Sequence, residues 1–229
     1  PGTAVQVPAS PSGGEPGEEM SFLEGALEAW HATHRSLSVL QCGANDGITV
    51  DPIHRFICAH PQTVRAVAVE PLPDVFDLLC KTHAGNPHVR PLNLAVGPRP
   101  EIELHRIKPE FTAGYKGIIA TGITSFDRNH VLAKARKQLD LPGVLPEDRI
   151  ETITVPSHTV SRIIDDHVDM LDDPLFVQID AEGFDDEIIY SIDFSRHRPI
   201  AINFEAELLD ASRMEALRTF LAGHGYRFI

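Results

Sequence analysis

No run of apolar residues in this chain approaches the roughly 20 that a membrane-spanning helix requires. A charged start, apolar middle and small-residue cleavage site, the marks of a secretory signal, are also missing. Cysteine is scarce: Cys42, Cys58 and Cys80 cannot all pair, and none stands in Cys-x-x-Cys spacing. Reduced thiols in a cytoplasmic protein are the expectation. Basic residues are outnumbered, with 20 Lys and Arg against 33 Asp and Glu, a net charge of −13 and a pI near 5.3. Such a surface repels phosphate backbones and excludes nucleic acid as a partner. The densest basic cluster, Lys134, Arg136 and Lys137, reads as a solvated helix face. The glycine-rich Gly-x-Gly-x-x-Gly turn that cradles a pyrophosphate is missing as well.

What is present is ordinary globular composition, 42% hydrophobic and 23% charged over 229 residues, enough for one domain. Residues 1–20 are rich in Pro, Gly, Ser and Glu and read as a flexible leader, with residues 21–229 as a single domain. A helix is expected from Ser21, with Glu24 completing a capping box. Apolar runs at Leu37 to Cys42, Val64 to Val69, Val89 to Val96, Leu175 to Ile179 and Ile200 to Phe204 predict buried strands. Between them, Asp51-Pro52 opens a helix, and helices follow at Leu72 to Lys81, Val160 to His167, Asp185 to Ile192 and Ser212 to Ala222. Ile102 to Ile107 alternates and predicts an antiparallel or edge strand. The region 108–148 is irregular, with a helix from about Phe126 to Leu139. Its glycines, Tyr115 and Phe126 suggest a lid over Gly114 to Ser125. The pattern as a whole predicts an α/β fold, a doubly wound, mostly parallel sheet with helices on both faces.

Ligands of such sheets bind beyond the carboxyl ends of the strands. The first strand runs into Gly43-Ala44-Asn45-Asp46-Gly47, small residues that admit a ligand close to the backbone. Asp46 stands where a pyrophosphate would sit, so a cationic ligand suits the turn better. The second strand ends in Val69-Glu70-Pro71-Leu72, where Glu70 can accept the hydroxyls of a ribose. Asn93, Leu94 and Ala95 follow at the third. Asn93 fits either an adenine edge or neighbouring backbone groups. The fourth gives Asp180-Ala181-Glu182-Gly183, two carboxylates that share one side if extended, and the fifth adds Glu205. Clustered acids separate in pKa, so one can serve as a base, or they can hold a hard cation.

These blocks resemble the FkbM family of S-adenosylmethionine-dependent methyltransferases over roughly residues 35–228. The resemblance rests on Gly43 to Gly47, Val69-Glu70-Pro71, Asn93 to Gly97, Gln178 to Phe184, and Arg198-Pro199 through Glu205. It implies a Rossmann-like class I methyltransferase fold and methyl transfer to a hydroxyl of a sugar or other small natural product. By position Gly43, Ala44, Asn45 and Asp46 would surround the methionine end of the cofactor. Glu70, Pro71 and Leu72 would meet the ribose, and Asn93, Leu94 and Ala95 the adenine. Asp180 would lie between cofactor and acceptor. An acid after Gly183-Phe184 would be supplied by Asp185 or Asp186, and further strands would follow Phe228-Ile229.

The expected chemistry is removal of a hydroxyl proton by the Asp180/Glu182 pair, assisted by His130 or His158. The alternative is Mg²⁺ held by Asp180 and Glu205. His31 and His34 share a helix face, but with no third ligand nearby in sequence they read as surface histidines. Two other classes fit parts of the pattern. A nicotinamide-dependent oxidoreductase shares the sheet and Glu70 but needs the missing glycine turn. A non-catalytic nucleoside-binding module would not need three acids.

Overall fold

The computed structural model describes residues 3–6, 21–112, 123–139 and 143–229. In chain order the first elements are β1 (Thr3–Gln6), α1 (Phe22–His34), β2 (Leu37–Cys42), α2 (His54–Ala59), β3 (Val64–Val69) and α3 (Pro73–His83). They are followed by β4 (Val89–Leu92), β5 (Ala95–Val96), β6 (Glu101–Ile107), α4 (Pro109–Thr112), β7 (Thr124–Ser125) and α5 (Arg128–Gln138). The last are β8 (Ile150–His158), α6 (Val160–Asp166), β9 (Leu175–Ile179), α7 (Asp185–Tyr190), β10 (Ala201–Phe204), α8 (Ala211–Gly223) and β11 (Arg227–Phe228).

Seven strands form one parallel sheet in the order β11-β1-β10-β9-β2-β3-β4. Every residue of β2, β9 and β10 is buried, which is what a sheet covered on both faces demands of its central strands. Their side chains divide by alternation. Leu40, Cys42, Val67, Val69, Val177, Ile179, Ile202 and Phe204 pack under α6, α7 and α8. Leu37, Val39, Ala66, Ala68 and Phe176 pack under α1, α2 and α3 through Leu23, Leu27, Phe56, Ile57 and Leu79. The fold is the doubly wound α/β architecture that the strand–helix alternation predicts.

Helix starts follow their sequence signals. Ser21 and Glu24 form the capping box at α1, and Asp210 accepts the Ser212 and Arg213 N–H groups at α8. Asp51 receives the N–H groups of Ile53 and His54, so α2 begins three residues after Asp51 rather than at Pro52.

Three differences from the sequence expectation have physical causes. Thr3–Gln6 fall in the expected leader yet form a strand between β10 and β11; the rest of 1–20 lies outside the described residues. The strand expected over Val89 to Val96 is broken at Asn93, whose Nδ2 donates to the carbonyls of Glu70 and Pro71. Beyond the break, β5 joins a second sheet, in the order β5-β8-β6-β7. The third difference is β8 itself, antiparallel to β6 from Ile150 to Pro156, where Pro156 argues against a strand in sequence. Of the expected lid, residues 114–122 lie outside the described residues.

The two sheets are fastened by Arg106 on β6, which is buried and forms a two-pronged ion pair with Asp74 of α3 at 2.7 Å per bond. Just past the ends of β2 and β9, Gly43 lies against the Asp180 backbone. Its φ is +81°, and a Cβ there would sit 1.9 Å from the Asp180 carbonyl oxygen. Gly43→Ala is expected to lower stability by more than about 3 kcal/mol in denaturant unfolding, since backbone atoms must separate. Gly25→Ala, in α1 with open space around it, is expected to raise stability by about 0.5–1 kcal/mol.

Candidate functional site

Strand β2 delivers Gly43, Ala44 and Asn45 to the sheet edge, where the N–H groups of Gly43 and Ala44 both bond the Val69 carbonyl of β3. Asn45 takes φ +51°, a left-handed value that Asn tolerates, and this turns its N–H onto Glu70 Oε2 at 3.0 Å. Glu70 Oε1 accepts the Leu72 N–H at 2.9 Å. Glu70 is buried, and burial pushes its pKa to about 7 despite those two bonds and the nearby Arg106 charge.

The ends of β9 and β10 bring a group of acids together. Asp180 follows β9, and Glu182 at φ +47° and Gly183 at φ +96° turn the chain into α7. The two carboxylates therefore meet through a tight turn, not through an extended strand. Asp185, at the start of α7, is fully buried and accepts the Glu205 N–H at 3.0 Å. Burial is the main reason these acids are raised, with repulsion between neighbours adding to it. Asp180 goes to about 6, with Glu182 and Asp51 opposing its charge. Glu182 and Glu205 go to about 7 and Asp185 to about 8. Asp180 is surrounded by protein yet open towards a cavity, so its surface is accessible while its charge is poorly solvated. The cation whose charge offsets Asp180, Glu182 and Glu205 is Lys134 on α5.

These residues line a cavity of about 250 Å³. Gly43, Ala44, Asn45, Glu70, Pro71, Leu72, Leu94, Ala95, Asp180, Glu182 and Glu205 all reach it. Asp46 and Asn93 do not. Asp46 instead ties down its own loop through the N–H groups of Ile48 and Thr49 and the Thr49 hydroxyl. Asn93 braces the Glu70-Pro71 backbone. His158 is not on the wall either. Two buried acceptors on the wall, Gln41 Oε1 and Asp51 Oδ2, have no hydrogen-bond partner among the described residues. Val50, at the rim, is 62% exposed and holds φ +55°, a strained value for a β-branched residue.

The second sheet roofs the cavity. Ser125 Oγ donates to the Glu182 carbonyl at 2.8 Å, and Phe126 stacks on Phe184 with ring centroids 3.7 Å apart. A second cavity, of about 510 Å³, adjoins the first and shares Ser125, Phe126 and Glu182 with it. His130 lines this second space, with Nε2 at hydrogen-bonding distance, 3.2 Å, from Glu182 Oε2. Burial lowers the His130 pKa.

Sequence reasoning did not single out Asp51 or Lys134 for the site, and named Asp185 only beside Asp186, as the acid the family resemblance implies after Gly183-Phe184. Asp51 read as a helix cap, and Lys134 as part of a solvated face; the spacing of His130 and Lys134, one helical turn apart, was the available signal. The Mg²⁺ expected on Asp180 and Glu205 gains no support. Among the described residues the ligand groups that gather in threes are Glu28, His31 and His60. None of the described helices is long and apolar enough to cross a membrane.

The family model for the methyltransferase FkbM domain matches residues 41–228. The chain belongs to that family, and its fold is that of a methyltransferase. No curated protein and no solved structure matches it.

The raised acids set a pH dependence. A carboxyl whose pKa rises on folding binds its proton more tightly in the native state, so stability falls as pH climbs through the folded value. His31, His83, His130 and His158, all lowered chiefly by burial, act in the opposite sense but only below about 6.5. The thermal midpoint of the ligand-free protein is therefore expected to fall between about pH 6.5 and 8. Glu182→Gln and Glu205→Gln are each expected to flatten that fall, as read by calorimetry across the range.

Proposed function

We propose that this methyltransferase uses S-adenosylmethionine and methylates a hydroxyl group of a small acceptor, with a sugar as the leading class. The observation that carries the reading is Glu182, which stands at the junction of the two cavities with His130 against it.

The first cavity suits the proposed cofactor. Its wall combines the Glu70 carboxylate, the unpartnered acceptors of Gln41 and Asp51, and the raised acids Asp180 and Glu205. A ligand with an ammonium and a sulfonium group would relieve both the unpaired acceptors and the mutual repulsion. A pyrophosphate would worsen the repulsion, which argues against a nicotinamide cofactor. Glu70 retains free lone pairs on both oxygens for the hydroxyls of a ribose. Leu72, Leu94 and Ala95 give an apolar surface for an adenine. When bound, S-adenosylmethionine supplies the methyl group.

The remaining chemistry falls to the chain's own residues. The second cavity is walled by Ser125, Asp127, His130, Glu182, Glu187 and Arg213, a polar lining that suits a polyhydroxylated acceptor. A base works best when its pKa lies near the working pH, and Glu182 at about 7 meets that condition. Ionised Glu182 would take the hydroxyl proton while His130 holds the carboxylate in place. Phe126 stacked on Phe184 narrows the passage and helps exclude water. Three unpaired cysteines fit a reducing, cytoplasmic setting.

Isothermal titration against S-adenosylmethionine and, separately, NAD⁺ tests the cofactor. Micromolar binding of the first alone is expected, and NAD⁺ binding in its place would sink the reading. Glu70→Gln is expected to weaken S-adenosylmethionine by about tenfold or more, equal to about 1.4 kcal/mol. With methyl-labelled cofactor and a panel of glycosides, Glu182→Gln is expected to cut turnover about 10²–10⁴-fold with cofactor affinity nearly unchanged. Tight cofactor binding with no labelled product from any hydroxyl acceptor would favour a non-catalytic module.

A further inference from the structure

Three ligand-type side chains meet on the α1–α2 side of the sheet, and none of them lines either cavity. Glu28 and His31 lie three residues apart on α1, hence on one helix face. His60 closes α2 and is pinned at its backbone. Its N–H bonds the Phe56 carbonyl at 3.2 Å, and its carbonyl accepts the N–H groups of Thr63 and Val64 at 3.1 and 3.0 Å. The sequence separates Glu28 and His60 by 32 residues, which is why spacing alone gave His31 no third ligand.

The geometry is compact. His60 Nε2 lies 2.9 Å from both oxygens of Glu28. The His31 and His60 rings are 4.1 Å apart between centroids and tilted by 38°. One ligand atom from each of the three residues falls within 4.8 Å of the others. Tetrahedral zinc holds its nitrogen and oxygen donors about 3.3 Å apart, so side-chain adjustments of roughly an ångström or less suffice. Thr63 Oγ1, 2.7 Å from His31 Nε2, fixes that ring, and the Phe56 ring packs 5.9 Å from His31 and 5.1 Å from His60. A hydrogen-bonded imidazole beside an apolar wall is the surrounding that orients a metal-ligating histidine.

We propose that Glu28, His31 and His60 form a binding site for a divalent transition metal of the zinc class, clipping α1 to the α2–β3 unit. Two imidazoles and one carboxylate select such an ion over Mg²⁺ or Ca²⁺, which favour all-oxygen shells. A solvent water completes a four-coordinate shell. Metal binding at His60 Nε2 takes the place of the proton between that nitrogen and Glu28, which passes to solvent from a doubly protonated ring or to Nδ1 in a neutral one, and no electron is transferred. The site stands apart from methyl transfer, so its test does not depend on that reading.

The test is titration of the full chain, first stripped with a chelator, with Zn²⁺ by calorimetry and with Co²⁺ by visible absorption. One equivalent is expected to bind, with the d–d bands of a tetrahedral nitrogen–oxygen site and a rise in the thermal midpoint. His31→Gln and His60→Gln are each expected to weaken binding by at least about tenfold. Glu28→Gln should also weaken it, and Glu205→Gln should leave it unchanged. Circular dichroism of the metal-free variants should match the parent, so that a loss of binding cannot be put down to misfolding. Absence of saturable binding would overturn the proposal. So would binding that survives both histidine substitutions, or binding lost only when Glu205 is changed.

Discussion

Burial of several carboxylates at one sheet edge, with repulsion among them added, is the constraint on which the site depends. Asp51, Asp180, Glu182, Asp185 and Glu205 come from a loop, a strand end, a turn, a helix start and another strand end. No local element would gather them. They are held together because β2, β9 and β10 are fixed side by side by two apolar cores, one on each face. Hydrophobic burial far from the site thus offsets the electrostatic strain within it. Lys134 relieves only part of that strain, which leaves a surplus of negative potential directed into the cavity.

The second sheet shows how that potential is put to use. Antiparallel β6 and β8 have no counterpart in the parallel core, and they carry α5 with them. One face of α5 packs inward through Val131, Leu132 and Ala135. Its His130 and Lys134 face the acids instead. The roof therefore supplies both the counter-charge and the partner of Glu182, while the core supplies the acids. Phe126 lines both cavities and stacks on Phe184, which lines the second.

Much of this was legible in the sequence where the signal is local or periodic. The buried strands announced themselves as apolar runs, and the strand-end rule then pointed to Gly43, Glu70, Asp180, Glu182 and Glu205, all of which reach the cavity. What was not legible depends on contacts between distant segments. The resemblance left Asp185 and Asp186 as equal candidates for one acid, and only the return of β10 buries Asp185 against the Glu205 N–H. Asn93 shows the same limit in reverse. Its position left open an adenine contact or a bond to neighbouring backbone, and the Glu70-Pro71 carbonyls claim its side chain. β8 was missed because Pro156 lies within it and its alternation is weak. The meeting of Glu28 with His60 required a helix and a distant cap to be packed together.

The break at Asn93 carries a kinetic consequence. Only Asn93 and Leu94 separate the last paired residue of the floor from the first of the roof, and Asn93 is bonded to the Glu70 loop below. Arg106 adds a second tie between the two sheets. Floor and roof cannot part on this side without breaking both. A ligand entering here meets walls already at their final spacing, and little ordering remains to be done on arrival.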